Sequence, residues 1–194
     1  CISAFDQYSN ESTLNCQVAT SQQEFCWVLS DGLNLISFPV LPLDINIETI
    51  FESISEDIVG VISEGDAAFI LPNGTWVGSL TEIDNHRAYW IKLGLGDPFV
   101  IQEYCVTGYP VPINLEYELS SGANLISYLG NDNIPILEAL NNYNNNFNAI
   151  IGAAYAAYNN PQNGWVGSLT TLKAGEGYWV LVNNDFIFRW INID

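Results

Sequence analysis

Apolar residues recur at helical spacing in two separate segments of the chain. The first segment places them at i, i+3, i+4, i+7 and i+11: Ile47, Ile50, Phe51, Ile54 and Ile58. The second segment repeats the period with Ile136, Leu140, Tyr143 and Phe147. Residues at this spacing share one face of an α-helix, so we predict one helix in each segment. Asn46 and Asn133 are the predicted N-caps, and Pro135 suits a first turn. The asparagine-rich stretch 141–148 is interpreted as a helix end and a long turn, with an adhesive loop as the alternative.

The other apolar runs are short, and turn residues separate them, as expected for β-strands. Cys26–Phe38 and Leu115–Tyr128 are interrupted by Asp-Gly and Ser-Gly, which predicts a tight hairpin whose glycine has a positive φ. Each predicted helix is followed by two short runs, which we interpret as a strand pair. A second hairpin is predicted after each Tyr-Trp pair, with its turn at 94–97 and at 183–186.

Three sequence blocks occur twice in the same order along the chain. SDGLNLISF (30–38) matches SSGANLISY (120–128), TWVGSL (75–80) matches GWVGSL (164–169), and AYWIKL (88–93) matches GYWVLV (177–182). Asn34 and Asn124 lie 90 positions apart, and Trp76 and Trp165 lie 89 positions apart. Ordered blocks at a nearly constant offset indicate an internal repeat.

The repeat and the predicted elements together define a fold class. We predict an α+β fold made of two tandem repeats, each a mostly antiparallel β-sheet with one helix packed on it, plus an N-terminal arm. The predicted boundaries are 1–26 for the arm, 27–107 for the first repeat unit and 108–194 for the second. Units of this size lie near the lower limit for an independent core, so we expect the two units to pack on each other, or the sheet to continue from one unit into the other.

The blocks that open and close each unit resemble a known family pattern. Tandem units with a GWNLI-type opening strand and a GYWI-type closing strand occur in bacterial secreted and cell-surface proteins and in phage virion proteins. This chain has GLNLIS and GANLIS at the opening, with Leu33 and Ala123 in place of the family's tryptophan, and AYWI and GYWV at the close. The resemblance implies a non-catalytic surface or virion component, and it carries over no catalytic residue.

The charge of the chain narrows the classes of partner. It has 22 acidic and 4 basic residues, a net charge of −18, although only 13% of its residues are charged. A field of this sign repels nucleic-acid phosphates and anionic lipid headgroups, so we exclude nucleic-acid and peripheral membrane binding. No apolar run approaches the roughly 20 residues that span a bilayer. Because the sequence also lacks methionine, we expect a processed product or a fragment, and removal of a signal peptide would explain this.

The four cysteines form an even set: Cys1, Cys16, Cys26 and Cys105. None lies in a CxxC pair, and a single histidine cannot complete a Cys/His zinc site. We therefore predict disulfide bonds, formed in an oxidising compartment, that tie down the N-terminal arm. The sequence leaves all three possible pairings open. Cys1 has two further interpretations, a lipidated N-terminal cysteine and a bridge to a neighbouring subunit.

The only histidine, His86, lies in a turn between Asp84 and Arg87. General base catalysis requires a histidine with a positioned partner, which makes this turn the first place to look for an active site. The second copy has Gly175 and Gly177 at the matching place, so the fold does not require histidine there. We interpret His86 as an exposed turn residue, with a site confined to the first unit as the alternative.

Six aromatic residues recur in both units and are the candidate binding residues: Trp76, Tyr89, Trp90, Trp165, Tyr178 and Trp179. Their recurrence favours core packing. Adjacent residues of a strand point to opposite faces, however, so one residue of each Tyr-Trp pair must be exposed, or covered by the other unit or a partner. Exposed aromatic rings stack on sugars or form subunit contacts.

The acidic residues suggest two further kinds of site. Glu48, Glu52 and Glu56 lie at i, i+4 and i+8, and we interpret them as a solvated helix face in preference to a catalytic acid pair. Loops 130–133 and 182–186 contain potential oxygen ligands for Ca²⁺, but neither has the EF-hand pattern. We therefore predict no catalytic residue, no metal site and no cofactor, with bound Ca²⁺ as the alternative.

These observations support one leading function and two alternatives. The leading function is a non-enzymatic structural protein of an extracellular, cell-surface or virion setting, which assembles with copies of itself or with other surface or virion proteins. The first alternative is a carbohydrate-binding or adhesion module that uses the repeated Tyr-Trp pairs. The second is an acid-pair glycoside hydrolase.

Overall fold

The computed structural model describes residues 21–111 and 115–190, which form antiparallel β-sheets with a few short helices. The strands of the N-terminal half (21–111) are β1 (Gln23–Ser30), β2 (Gly32–Ile36), β3 (Val40–Leu41), β4 (Ile58–Ile62), β5 (Ala67–Ile70), β6 (Trp76–Gly78), β7 (Tyr89–Leu93) and β8 (Ile101–Pro110). Those of the C-terminal half (115–190) are β9 (Tyr117–Leu119), β10 (Gly122–Ser127), β11 (Ile134–Pro135), β12 (Phe147–Ile151), β13 (Ala156–Asn160), β14 (Gly164–Gly167), β15 (Thr171–Leu172), β16 (Gly177–Val182) and β17 (Phe186–Phe188). This content is compatible with the predicted α+β class.

The predicted helices are present, but they are much shorter than the apolar pattern indicated. Each consists of about one α-helical turn followed by a 3₁₀ helix: α1 (Ile47–Ile50) and Glu52–Ile54, then α2 (Ile136–Leu140) and Asn141–Asn146. Ile58 and Phe147, predicted as the last apolar residues of the two helices, begin strands instead. Isoleucine, serine and asparagine are weak helix formers, and a 3₁₀ turn also keeps residues three apart on one side. The same apolar spacing therefore fits the shorter elements.

The two predicted N-caps have different outcomes. The Asn46 side chain accepts a hydrogen bond from the Glu48 N–H at 2.9 Å, so this prediction is confirmed. The prediction for Asn133 is wrong, because Pro135 occupies the N-cap position of α2 and no side chain caps that helix. Asn133 lies in the preceding loop with a φ of 63°, a conformation that asparagine tolerates better than most residues.

Each half contains one five-stranded antiparallel sheet. The strand order is β2-β7-β4-β5-β6 in the N-terminal half and β10-β16-β12-β13-β14 in the C-terminal half. The third strand of each sheet has a shift of register, between Ile58 and Gly60 and between Phe147 and Ala149. Smaller sheets accompany them, with β1-β8-β3 in the N-terminal half and β17-β9 and β11-β15 in the C-terminal half. The strand pairs predicted after the two helices are confirmed as β4–β5 and β12–β13.

The four predicted hairpins at the unit ends are wrong, because their strands belong to different sheets. β1 pairs with β8 as far as Ser30 and Ile101, and β2 pairs with β7 starting at Gly32 and Leu93. Two chain segments therefore run side by side as one antiparallel ribbon, which bends sharply between the two pairings. β9–β17 and β10–β16 form a second bent ribbon in the same way. Strands commonly change sheets at such corners.

An asparagine side chain holds each corner. The Asn34 side chain accepts a hydrogen bond from the Ser30 N–H and donates one to the Ser30 carbonyl, both at 2.9 Å. Asn124 makes the same two bonds to Ser120, at 2.9 and 2.7 Å. One amide thus satisfies the polar backbone groups that lose their ladder partners where the strand bends. The positive φ predicted for the turn glycine is confirmed at Gly32 and at its counterpart in the second corner.

Each half has its own aromatic core. In the N-terminal half the Tyr104 ring stacks on Trp27 and on Phe51, with centroids 5.4 and 5.6 Å apart. In the C-terminal half the Phe188 ring meets Trp190 edge to face at 4.7 Å. Every residue of the first cluster lies between Trp27 and Val106, and every residue of the second between Tyr117 and Trp190. The halves therefore fold around separate cores.

One predicted disulfide bond lies within the described residues. Cys26 and Cys105 face each other on β1 and β8, with Cα atoms 4.0 Å apart, and their sulfurs are bonded. Cys1 and Cys16 lie outside the described residues, as does most of the predicted arm. The last residues of that arm, from Gln23 to Cys26, belong to β1. The bond therefore joins the two strands of the first ribbon covalently.

Loss of this disulfide bond should lower stability. The two cysteines are 79 residues apart, and a cross-link of that span restricts the unfolded chain by an amount worth roughly 2–4 kcal/mol. We expect Cys26→Ser/Cys105→Ser to lower the free energy of unfolding by that amount in a urea titration. Thr107→Ser, a surface change on the same strand, should leave the midpoint unchanged. An unaltered midpoint in the double variant would contradict the prediction.

Loss of the corner amide should also destabilise the fold. Asn124 is buried, so Asn124→Ala leaves the N–H and the carbonyl of Ser120 without their partner. We expect a loss of about 1–3 kcal/mol in unfolding free energy. Asn163→Ala, at an exposed turn position, is the matched control and should change stability by less than about 0.5 kcal/mol. Equal effects of the two variants would show that the corner bonds do not matter.

Candidate functional site

The tyrosine of each Tyr-Trp pair is a buried anchor. Tyr89 and Tyr178 have no exposed surface. The Tyr89 hydroxyl accepts a hydrogen bond from the Asp84 N–H at 2.6 Å and donates to the Asp84 carbonyl at 3.1 Å. The Tyr178 hydroxyl accepts from the Lys173 N–H at 3.0 Å and donates to the Glu176 carboxylate at 2.7 Å. Each tyrosine therefore holds the turn that precedes its own strand.

The tryptophan of each pair borders a small cluster shared by the two halves. Trp90 and Trp179 are half-buried and pack against a small cluster of Leu35, Ala88 and Leu125, which draws residues from both halves. Tyr and Trp are thus covered on opposite faces of the same strand, as the alternation predicts. The cluster that covers the two tryptophans is shared between the halves, and no partner chain is needed to bury that side of the rings.

Backbone hydrogen bonds join the halves at two corresponding places. The Ser37 N–H, just past the end of β2, donates to the Gly175 carbonyl at 2.8 Å. The Ser127 N–H, at the end of β10, donates to the His86 carbonyl at 3.0 Å. β2 and β10 are the edge strands of their sheets. Each turn held by a buried tyrosine therefore covers an edge of the opposite sheet, which would otherwise present unpaired backbone groups. We refer to this contact region as the junction.

Two serine hydroxyls complete the junction. Ser37 and Ser127 are fully buried. The Ser37 hydroxyl donates to the Glu176 carbonyl at 2.7 Å, and the Ser127 hydroxyl donates to the Asn85 carbonyl at 2.6 Å. A small side chain with one donor is what these positions require. Both serines are part of the repeated NLIS blocks, and a serine recurring beside buried strand residues was the available signal for them.

Close approach of the two halves explains the glycine at position 177, which corresponds to Ala88 in the repeat. A Cβ atom on Gly177 would lie 2.3 Å from the Ala88 Cβ and 3.1 Å from Leu35 Cδ1. Both contacts are shorter than real Cβ atoms normally make, so a larger residue would push the halves apart.

His86 belongs to this junction through its backbone. Its side chain is exposed, with Nδ1 3.0 Å from the Asp84 carboxylate, and its ring meets the edge of Tyr117 from the other half at 5.8 Å. Beside it, Arg87 donates to the Glu64 carbonyl at 2.6 Å and to the Asp66 carboxylate at 2.9 Å. This hydrogen bond from Arg87 lowers the pKa of Asp66. These contacts indicate that the turn holds the two halves of the molecule together.

The turn at Glu64 adds a contact from a side chain. The Glu64 carboxylate accepts a hydrogen bond from the Leu125 N–H at 2.8 Å, on the same edge of β10 that Ser127 uses. This edge therefore receives one carboxylate and one backbone carbonyl from the N-terminal half. No local sequence pattern indicates this contact, because the two residues lie 61 positions apart in the chain.

A groove of about 830 Å³ lies on the N-terminal half, between α1 with its 3₁₀ helix and the turn that joins β5 to β6. Its lining includes the acidic residues Glu48, Glu52 and Glu56 and the apolar residues Val59, Leu71 and Trp76. We call it the acidic groove. The three glutamates are exposed, as predicted for a solvated face, but they also line this groove. Trp76 is therefore placed apart from the Tyr-Trp pairs.

The loops considered for Ca²⁺ use their carboxylates internally. Asp132 accepts a hydrogen bond from the Ala174 N–H at 3.0 Å, and Asp185 accepts one from the Ser121 N–H at 2.7 Å. Among the described residues, the one group of three potential metal ligands is Glu24, Cys26 and Cys105. The two sulfurs of that group are bonded to each other, so they offer no thiolate to a metal ion.

Buried tyrosines should make the fold sensitive to alkaline pH. Burial raises the pKa of five tyrosines, and that of Tyr89 to about 12: Tyr89, Tyr104, Tyr117, Tyr128 and Tyr178. An unfolded tyrosine ionises near pH 10, so between pH 10 and 12 the folded state binds more protons than the unfolded state. Stability is therefore retained below pH 10 and falls as the pH rises through this window. We expect ultraviolet titration of phenolate to show these five groups ionising together with unfolding. Ionisation of all tyrosines near pH 10 in a folded protein would contradict this.

Overpacking at the junction should destabilise the molecule. Gly177→Val inserts atoms where the halves already touch, so we expect a loss of about 1–3 kcal/mol in unfolding free energy. Ala123→Val, at an exposed position on the same sheet, is the control and should have little effect. Equal stability of the two variants would mean that the halves do not pack as closely as described.

Comparison of the chain with protein-family models, with curated proteins and with solved structures gives no match.

Proposed function

We propose that the protein is a non-enzymatic structural protein of an extracellular, cell-surface or virion setting, built from two copies of one α+β unit. The observation that carries the proposal is the junction. The residues that recur in both halves anchor turns, cover strand edges and hold corners: Asn34, Ser37, Tyr89 and Trp90, with Asn124, Ser127, Tyr178 and Trp179. The residues that the two copies share are therefore residues that maintain the fold.

The strand orders support the duplication. The two five-stranded sheets arrange their strands in the same order relative to the chain. In both sheets the shift of register lies on the third strand, β4 or β12. The repeated WVGSL block has the same role in both halves, because Gly78 and Gly167 share a φ of 145°. A Cβ atom on either glycine would lie 2.1 or 2.2 Å from the carbonyl oxygen of Ala67 or Ala156. We place the units at 27–107 and 108–194, and we infer the family likeness from the same blocks.

The outer faces of the two sheets support assembly. Ile62 is paired with Trp90, and Phe69 is paired with Val77, so these four side chains share the face that continues away from the junction cluster. Phe69 is 43% exposed and Val77 is 42% exposed. The C-terminal half continues from Trp179 in the same way through Ile151 and Tyr158. Apolar residues on the open face of a sheet mark a contact surface. We propose that copies of the chain, or other surface or virion proteins, cover these faces.

The carbohydrate-binding alternative receives less support than assembly. Stacking of a sugar requires an exposed ring, and Tyr89 and Tyr178 have no exposed surface, while Trp90 and Trp179 pack against the cluster of Leu35, Ala88 and Leu125.

The proposed extracellular setting is supported by the Cys26–Cys105 bond, since disulfide bonds persist in oxidising compartments. Within the two described ranges, the helices are all too short or too polar to cross a lipid bilayer.

Self-association tests the proposal. We expect sedimentation velocity to show larger species as the protein concentration rises. Phe69→Asp places a charge on the outer face and should weaken association about tenfold or more, because burial of a phenylalanine contributes about 2 kcal/mol. Phe99→Asp is the matched control, since Phe99 is 90% exposed and lies in a loop outside the five-stranded sheet. A monomer at every concentration, or equal effects of the two variants, would count against assembly through this face.

A further inference from the structure

The residues that correspond to the acidic groove are bridged by hydrogen bonds in the C-terminal half. At the 89-position offset, Trp165 corresponds to Trp76, Asn144 to Ser55, and Asn159 to Ile70. The Trp165 indole N–H donates to the Asn144 side-chain oxygen. The Asn159 amide donates to the carbonyls of Asn144 and Phe147, both at 3.2 Å. These bonds tie the asparagine-rich 3₁₀ helix to β13 and β14.

The N-terminal half lacks this bridge. Ser55 turns back to donate to the Glu52 carbonyl at 2.8 Å, and Ile70 has no polar atom in its side chain. The Trp76 indole is half-buried beside Phe51, with ring centroids 6.1 Å apart, and its N–H has no hydrogen-bond partner among residues 21–111 and 115–190. The space that is bridged in one half is therefore an open groove in the other.

The walls of the groove indicate the chemistry of an occupant. Glu48, Glu52 and Glu56 form no ion pair with any residue that the structure describes. Val59 and Leu71 add apolar surface to the same groove. Carboxylates pair with lysine or arginine, apolar surface accommodates the aliphatic part of those side chains, and an indole face attracts a cation. An open groove of about 830 Å³ also exceeds the space that one side chain fills.

We infer that the acidic groove binds a lysine- or arginine-bearing segment of another protein. A second copy of this chain is a poor donor, because the chain has only 4 basic residues. Three of them already pair with carboxylates: Arg87 with Asp66, Lys173 with Glu176 and Arg189 with Glu116. The basic partner is therefore a different protein, and this inference stands whether or not the chain self-associates.

A fluorescent peptide of alternating arginine and serine is the probe, and anisotropy with the full-length chain is the measurement. We expect binding that weakens as salt is raised, since paired charges at a surface are screened. Glu48→Gln/Glu52→Gln should weaken binding at least tenfold. Glu103→Gln/Glu118→Gln removes the same charge from exposed positions away from the groove and should change affinity less than twofold. Equal weakening by both double variants would show attraction to net charge alone and would overturn the inference.

Closing the groove provides a second test that keeps every glutamate. Ser55→Asn/Ile70→Asn introduces the residues that bridge the C-terminal half, so we expect loss of peptide binding at unchanged net charge. Trp76→Phe removes the indole N–H and should weaken binding several-fold. Circular dichroism confirms that each variant is folded before its affinity is compared. Full affinity in the closed variant, or no binding of the peptide by the wild type, would overturn the inference.

Discussion

The structure depends on hydrogen bonds between strand edges of one half and turns of the other. Neither five-stranded sheet closes on itself, so β2 and β10 each leave an edge whose backbone groups need partners. The partners are the carbonyls of Gly175 and His86, supplied from the opposite half. Because Ser37 and Ser127 are fully buried at these points, loss of the contact would leave polar groups without water or protein partners. This requirement explains why a turn, a serine and a tyrosine recur together.

The bent ribbons connect the five-stranded sheets to the smaller sheets of the fold. At each corner the chain leaves the five-stranded sheet and enters a smaller one, so a single segment contributes to two layers around an aromatic core. Asn34 and Asn124 make the bend compatible with paired backbone groups. In the first ribbon, the Cys26–Cys105 bond fixes the strands beyond the corner. The outer faces of the sheets take no part in these contacts, and they carry exposed apolar residues such as Phe69 and Val77.

Much of the local structure was predictable, and most of the long-range pairing was not. The strands and the corner glycines follow from short apolar runs and turn residues, and these predictions are confirmed. The hairpins were wrong because a positive-φ glycine serves a corner as well as a hairpin, and only pairing with distant β7 and β8 distinguishes them. The helices were too long because apolar residues spaced three or four apart also fit a short helix followed by a 3₁₀ turn. The acidic groove could not be predicted from the sequence. The difference between Ser55 and Asn144 becomes informative only when the structure shows that Trp165 donates a hydrogen bond to Asn144.

The central claim is that each half completes the other through the junction. Native-state hydrogen exchange of the Ser37 and Ser127 amides measures this most directly, because each amide donates to a carbonyl of the opposite half. We predict that both amides exchange only through global unfolding, with protection that matches the amides of the central strands β7 and β16. Exchange of either serine amide at the rate of an exposed loop, while the central strands stay protected, would contradict the account.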